Sequence, residues 1–139
     1  MLVLRFSRTT GRFEISGVSG SRARFAVSFR PPVDVSYREK VFTIRMDLPG
    51  VNPDDVSIEA TDTEVRIVGK LEPTDNPGGP CRLMERPSGQ FMRTLSFPGR
   101  IAPDRITAAL ADGVLTMTIP APDLTRDPTT IEIRIEGAD

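Results

Sequence analysis

The chain has no histidine and no tryptophan, one cysteine and one tyrosine, and only 6% aromatic residues in 139. Without histidine it lacks the usual general base, the usual partner of a nucleophile and the commonest metal ligand. Cys81 is alone, so neither an internal disulfide nor a cysteine-rich metal site can form. A lone thiol fits a reducing compartment, which makes the cytoplasm the expected location. The carboxylates Asp54-Asp55 follow Asn52-Pro53 and read as a solvated turn rather than a cation site. Gly78-Gly79 sits between prolines and lacks the lysine and helix start of a phosphate loop. No convergent acid pair is visible. The residues therefore argue against an enzyme, and no cofactor or metal is expected.

A net charge of −1 argues against a general polyanion binder, so nucleic acid is not an expected partner. No run of about 18 apolar residues is present, so no membrane-spanning helix is expected. Arg5 and Arg8 interrupt the first apolar stretch, which is not the order of a secretory signal. The charge is uneven all the same. Residues 1–30 carry six arginines against Glu14 alone, a local +5 that leaves −6 for the remainder.

Thirteen prolines and eleven glycines cut the chain into short pieces. None shows a sustained helical pattern, whereas period-two alternation is common. Phe42, Ile44, Met46 and Leu48 alternate and then meet Pro49-Gly50. Val56 and Ile58 alternate before the polar tip Thr61-Asp62, and Val65 and Ile67 follow it. Phe91, Leu95 and Phe97 share a face. Residues 104–119 read as a hairpin: Ile106, Ala108 and Leu110 on one strand, Leu115, Met117 and Ile119 on the other. Between them Asp112-Gly113 suits a two-residue turn. Short strands between frequent turn signals predict an all-β, immunoglobulin-like antiparallel β-sandwich.

Three stretches break this rhythm. Residues 1–30 scatter phenylalanine and aliphatic residues among Gly, Ser and Arg and read as a flexible arm. Residues 70–90, rich in Pro and Gly, form a long loop in which Cys81–Glu85 is predicted to make a small strand. Residues 121–130 read as an extended linker before the alternating segment Ile131-Glu-Ile-Arg-Ile135. The expected organisation is thus an arm over 1–30, a domain over 31–120 and an extension over 121–139.

Several motifs recur in a known order. They are Pro32-Val-Asp-Val35, Asp47-Leu-Pro-Gly-Val51 with Pro53-Asp-Asp-Val56, and Glu85-Arg86 with Gly89, Phe91 and Arg93. Asp112-Gly-Val-Leu-Thr116 and the I-x-I segment near the C-terminus complete the series. Together they resemble the α-crystallin domain of small heat shock proteins, of bacterial type. The resemblance implies a chaperone that holds unfolding proteins in solution without ATP, built from dimers that join into larger homo-oligomers. It implies that the tail residues Ile131, Ile133 and Ile135 dock in a groove between the strand of Val56 and Ile58 and the strand of Ile106, Ala108 and Leu110. It implies dimerisation by exchange of the 70–90 loop, with Arg82, Leu83, Met84 and Glu85 meeting Val33, Asp34, Val35 and Tyr37 of a second copy. Arg93 shares parity with Phe91 and Leu95, so it needs a carboxylate or carbonyl partner. Resemblance makes that an ion pair at the dimer interface, while an intramolecular pair or a bulge remains the alternative. The arm, with Phe6, Phe13, Phe25 and Phe29, is implied to contact clients, since adaptable apolar segments suit many surfaces. ATP-driven chaperones would then refold what is held. A competing reading is a β-sandwich co-chaperone adaptor that binds one folded chaperone.

Overall fold

The computed structural model describes residues 1–18, 27–73 and 78–124, together with the backbone of 134–136. Its strands in chain order are β1 (Leu2–Ser7), β2 (Arg12–Val18), β3 (Val33–Arg38), β4 (Val41–Asp47), β5 (Val56–Ala60), β6 (Glu64–Leu71), β7 (Gly89–Ser96), β8 (Thr107–Ala111), β9 (Val114–Pro120) and β10 (Arg134–Glu136). They form two antiparallel sheets. One runs β3-β4-β9-β8, the other β10-β7-β6-β5-β1-β2. The all-β sandwich expected from the alternation is the observed fold.

Alternation sets which side chains enter the core. Along β4, Phe42, Ile44 and Met46 are fully buried. Across β9, Leu115, Met117 and Ile119 face them. From the opposing sheet come Ile58 on β5, Val65 and Ile67 on β6, and Phe91 and Leu95 on β7, all at 0% exposure. The Phe42 ring packs on Phe97 with centroids 4.8 Å apart and on Tyr37 at 4.7 Å. Such tilted contacts add about 0.5–1.5 kcal/mol each to their burial.

Turn chemistry sets the register. Asp112 and Gly113 adopt φ of 53° and 76°, the positive pair of a type I′ hairpin. The carbonyl of Gly113 accepts from Leu48 N at 2.7 Å, which ties this turn to the end of β4. Between β3 and β4 the same role falls to Glu39 and Lys40, with φ of 50° and 64°. Neither is glycine or asparagine, so this turn carries local strain. Before β5, Asn52 Oδ1 accepts from Asp54 N at 3.0 Å and caps the short 3-10 turn Pro53–Asp55. The turn over Asn52–Asp55 is the one expected from its sequence.

Two elements differ from the sequence expectation. Residues 2–18 form a hairpin that joins the larger sheet through β1, which pairs with β5 from Leu2↔Ala60 to Arg5↔Ser57. Leu4 at 1% and Phe13 at 4% exposure belong to the core. The cause is local: Leu4 and Phe6 face Ile15 and Phe13 across the hairpin, and Gly11 at φ 70° closes the loop between them. Leu4, Phe6 and Phe13 pack on the core while Ile15 stays exposed, and the backbone of β1 completes the β5 edge. The second difference is Cys81–Glu85, which forms no strand. This segment is exposed, Leu83 and Met84 at 75% each. A strand needs a neighbouring edge, and no described strand of its own chain offers one there.

Candidate functional site

The expected tail groove is the natural starting place. Val56 and Ile58 form one wall from β5. Ile106, just before β8, and Ala108 within β8 form the other, all of them buried, with Leu110 half-buried at its lip. The two walls meet in one apolar cluster. The slot between them is filled by residues 2–18 of the same chain. β1 hydrogen-bonds along β5, β2 lies beside β8, and Leu4 and Phe13 join the same cluster as the walls. At the hairpin tip Arg8 is ion-paired with Asp54, its Nε 3.0 Å from Asp54 Oδ2. That bond, and then the carboxylate charge, raise the Arg8 pKa above its usual value.

Of the tail residues, Ile131 and Ile133 lie outside the described residues. Ile135 falls in β10, whose backbone pairs with β7 of the same chain at Ile135↔Leu95. Both ends of the chain therefore extend the larger sheet, one at each side.

The expected dimer residues separate into two places. Val33, Val35 and Tyr37 are half-buried on β3 and Asp34 is exposed; β3 is the last strand of its sheet, so one of its edges has no strand beside it among the described residues. Arg82, Leu83, Met84 and Glu85 sit apart from it in the exposed loop. Within this chain Arg93 has a carbonyl partner. Its Nη1 donates to the carbonyl of Pro31 at 2.7 Å, while Nε is buried without a hydrogen-bond partner. Burial, and then the nearby Arg30 charge, push its pKa below the usual arginine value. Within one chain this cation is thus only partly satisfied.

The arm phenylalanines are not equivalent. Phe13 is core. Phe6 is half-buried and meets Phe13 edge-on, with centroids 5.7 Å apart. Phe29 is half-buried against Phe91 at 5.6 Å, and Phe25 lies outside the described residues. A client-binding role for Phe13 therefore requires the hairpin to leave its slot first.

The least exposed ion pair among the described residues escaped the sequence reading. Arg66 on β6 is 7% exposed, lies 2.8 Å from Glu59 Oε2 on β5, and donates from Nη2 to the Met1 Sδ at 2.9 Å. The cross-strand pairing Glu59↔Arg66 could have been found from opposite charges on adjacent predicted strands. It fixes the β5–β6 register beneath the first residue of the chain. Among the described residues no helix is long and apolar enough to cross a membrane.

The model of the Hsp20/alpha crystallin family matches residues 34–136. The chain belongs to that family. Membership supports a chaperone role. The heat shock 22 kDa protein, chloroplastic, of Chlamydomonas reinhardtii is 32% identical over 125 residues, covering 88% of this chain and 80% of that protein. Among solved structures, heat shock protein 16.0 of Schizosaccharomyces pombe superposes with a TM-score of 0.65 at 29% identity, over 76% of this chain and 99% of the other. A small heat-shock protein of Xylella fastidiosa gives a TM-score of 0.62 at 28% identity, over 73% and 94%. These relatives are algal, yeast and bacterial, so the similarity does not single out a bacterial type.

Proposed function

We propose that this protein is an ATP-independent holdase. It covers the apolar surface of unfolding proteins and keeps them soluble, in the reducing setting that its lone thiol suits, the cytoplasm. The observation that carries this reading is the placement of both chain ends on the edges of one sheet. The N-terminal end is a two-stranded hairpin and the C-terminal end a three-residue strand, each at an outer edge of the sheet, so each can lift without breaking the pairings between the inner strands. Lifting residues 2–18 bares Leu4, Phe6 and Phe13 together with the slot they fill. Mass action then favours the soluble complex over the aggregate. Nothing in this scheme needs a nucleotide, and ATP-driven chaperones would take over refolding.

The building block of this reading is a dimer. Leu83 and Met84 are large, apolar and 75% exposed, and the free edge of β3 can accept an added strand. Insertion of residues 82–85 of one copy along Val33, Val35 and Tyr37 of another buries the first and satisfies the second. The partial satisfaction of Arg93 suits an acceptor arriving from that second copy. Larger homo-oligomers form when Ile131, Ile133 and Ile135 of one dimer reach the β5–β8 slot of another.

A heat-labile enzyme, warmed with the protein and no nucleotide, tests the function by light scattering. Suppressed scattering, with client and chaperone co-eluting as soluble particles, is expected. Unchanged client aggregation at a several-fold excess of the protein would refute the holdase reading.

A further inference from the structure

Met1, Glu59 and Arg66 meet on the outer face of the larger sheet. Strand parity brings them together. Val3, which shares its side of the chain with Met1, lies opposite Glu59, and Glu59 lies opposite Arg66. Val3 and Arg66 are buried there and Met1 is half-buried beside them. The Arg66 guanidinium is incompletely served. Its Nη2 has Glu59 Oε2 at 2.8 Å and the Met1 thioether at 2.9 Å, while Nε is buried with no hydrogen-bond partner among the described residues. A thioether sulfur is a weak acceptor, and a buried donor left unpaired is costly. We propose that Met1 is a site of reversible oxidation. Its sulfoxide, formed by a small peroxide, accepts from Arg66 and fastens β1 to β5 and β6 instead of loosening it. This goes beyond the holdase reading and does not depend on it.

The chemistry is that of a nucleophilic sulfur. A lone pair on Met1 Sδ attacks one peroxide oxygen, an S–O bond forms and the O–O bond breaks. The departing hydroxide takes the proton of the transferred oxygen and leaves as water. Sulfur gives up two electrons and the peroxide takes them. Methionine sulfoxide reductases reverse the change. Oxidising a core methionine disrupts packing, because the new polar group meets only apolar neighbours. Met46 and Met117 are of that kind, fully buried and out of a peroxide's reach while the sandwich is closed. Met1 differs in both respects. It is open enough to be reached, and the oxygen it gains has a donor waiting in Arg66. That oxygen sits one bond from a sulfur already 2.9 Å from Nη2, so it can take the proton of Nη2 or that of Nε. Hydrogen bonds from a charged donor are about twice as strong as neutral ones, so replacing the thioether by a sulfoxide tightens the contact.

The test uses the full chain with Cys81→Ser, Met84→Leu and Met92→Leu, which leaves Met1 as the only methionine outside the core. Hydrogen peroxide is the probe. Peptide mass mapping is expected to find one oxygen gained at Met1. Amides of β1 are then expected to exchange at least tenfold more slowly than before treatment, and to recover when a methionine sulfoxide reductase is added. A second protein carries Glu59→Leu and Arg66→Leu as well. This removes the cation and its counter-charge together, so no buried charge is left unpaired. There, oxidation of Met1 is expected to leave β1 exchange unchanged or faster. Three results overturn the proposal: no oxygen at Met1 in the folded protein, β1 exchange as fast or faster after oxidation, or the same slowing without Arg66. The first two are read without the leucine pair, so they decide the matter even if that variant does not fold.

Discussion

Replacing Phe13 by alanine separates a hairpin that is part of the cooperative core from one that is a detachable cover. At 4% exposure Phe13 is buried as deeply as many core residues. Truncating such a phenylalanine costs about 3–5 kcal/mol when the whole fold feels it. The hairpin, however, is held by a limited set of groups: Val3, Leu4 and Phe13 are buried, Phe6 is half-buried and Arg8 pairs with Asp54. Leu4 and Phe13 contribute roughly 1.5–3 kcal/mol each by burial, and ordering the segment offsets much of that. Its net docking is therefore about a few kcal/mol, and the alanine variant removes most of it. The global loss then saturates near the docking free energy, while the hairpin opens about a hundredfold more often, the equivalent of about 2.7 kcal/mol. Native-state hydrogen exchange reads this directly. Amides of β1 and β2 are expected to exchange about a hundredfold faster in Phe13→Ala, with β4 and β9 little changed. Ile44→Ala, in the centre of the other sheet, is expected to cost about 2–5 kcal/mol and to accelerate every strand. If Phe13→Ala instead speeds exchange in β4 and β9 as much as in β1, the hairpin folds as one unit with the sandwich and the argument for a separable cover fails.

Gly69→Ala is expected to cost about 1–3 kcal/mol in urea unfolding, since a Cβ there would lie 2.6 Å from both the Asp55 carbonyl oxygen and the Phe91 ring. Glu39→Asn should raise stability by about 0.5–1 kcal/mol by easing a positive-φ position, visible as a higher urea midpoint with unchanged slope. Leu83→Asp with Met84→Asp should leave the fold's own stability within about 0.5 kcal/mol, because both side chains are exposed. The same pair should weaken self-association by about a hundredfold in analytical ultracentrifugation, as two apolar anchors are lost. A dimer of unaltered affinity would remove Leu83 and Met84 from the interface.

The central sandwich was legible because binary pattern and turn residues agree. Phe42, Ile44 and Met46 alternate into the core, and Asp112-Gly113 announces its turn by composition. The turn at Glu39-Lys40 gave no such signal: the register of β3 on β4 imposes positive φ on residues that do not favour it. The N-terminal hairpin was hidden for another reason. Its alternation of Leu2, Leu4 and Phe6 is as regular as that of β4. What could not be read is that β5 leaves an edge open for it, which is a property of the assembled sheet. For the same reason Val56, Ile58, Ile106 and Ala108 could be grouped from their strands, while the hairpin lying between them could not be foreseen. Arg93 shows the limit for single side chains. Parity put it toward apolar surroundings, but the carbonyl of Pro31 as its partner depends on a loop path that alternation does not encode.

In the proposed scheme stability and release fall to different strand pairings. The permanent framework pairs over long strands: β4 with β9 through seven residue pairs and β6 with β7 through eight. The covers pair over short ones, β1 with β5 through four and β10 with β7 through three. Each pair contributes backbone bonds worth about 0.5–1.5 kcal/mol net, so the proposed scheme expects the covers to leave at temperatures the framework withstands. Exposed sheet edges invite aggregation, and most proteins shield them permanently. In the proposed holdase scheme, a chain that shields them with its own weakly held ends covers its edges when cool and offers strand edges and apolar slots when warm. The framework must outlast the covers for this to serve holding rather than self-aggregation. Heating should therefore release protection first in β1, β2 and β10, with β4, β6, β7 and β9 still protected; simultaneous loss in all of them would leave no temperature window in which the protein is both folded and open.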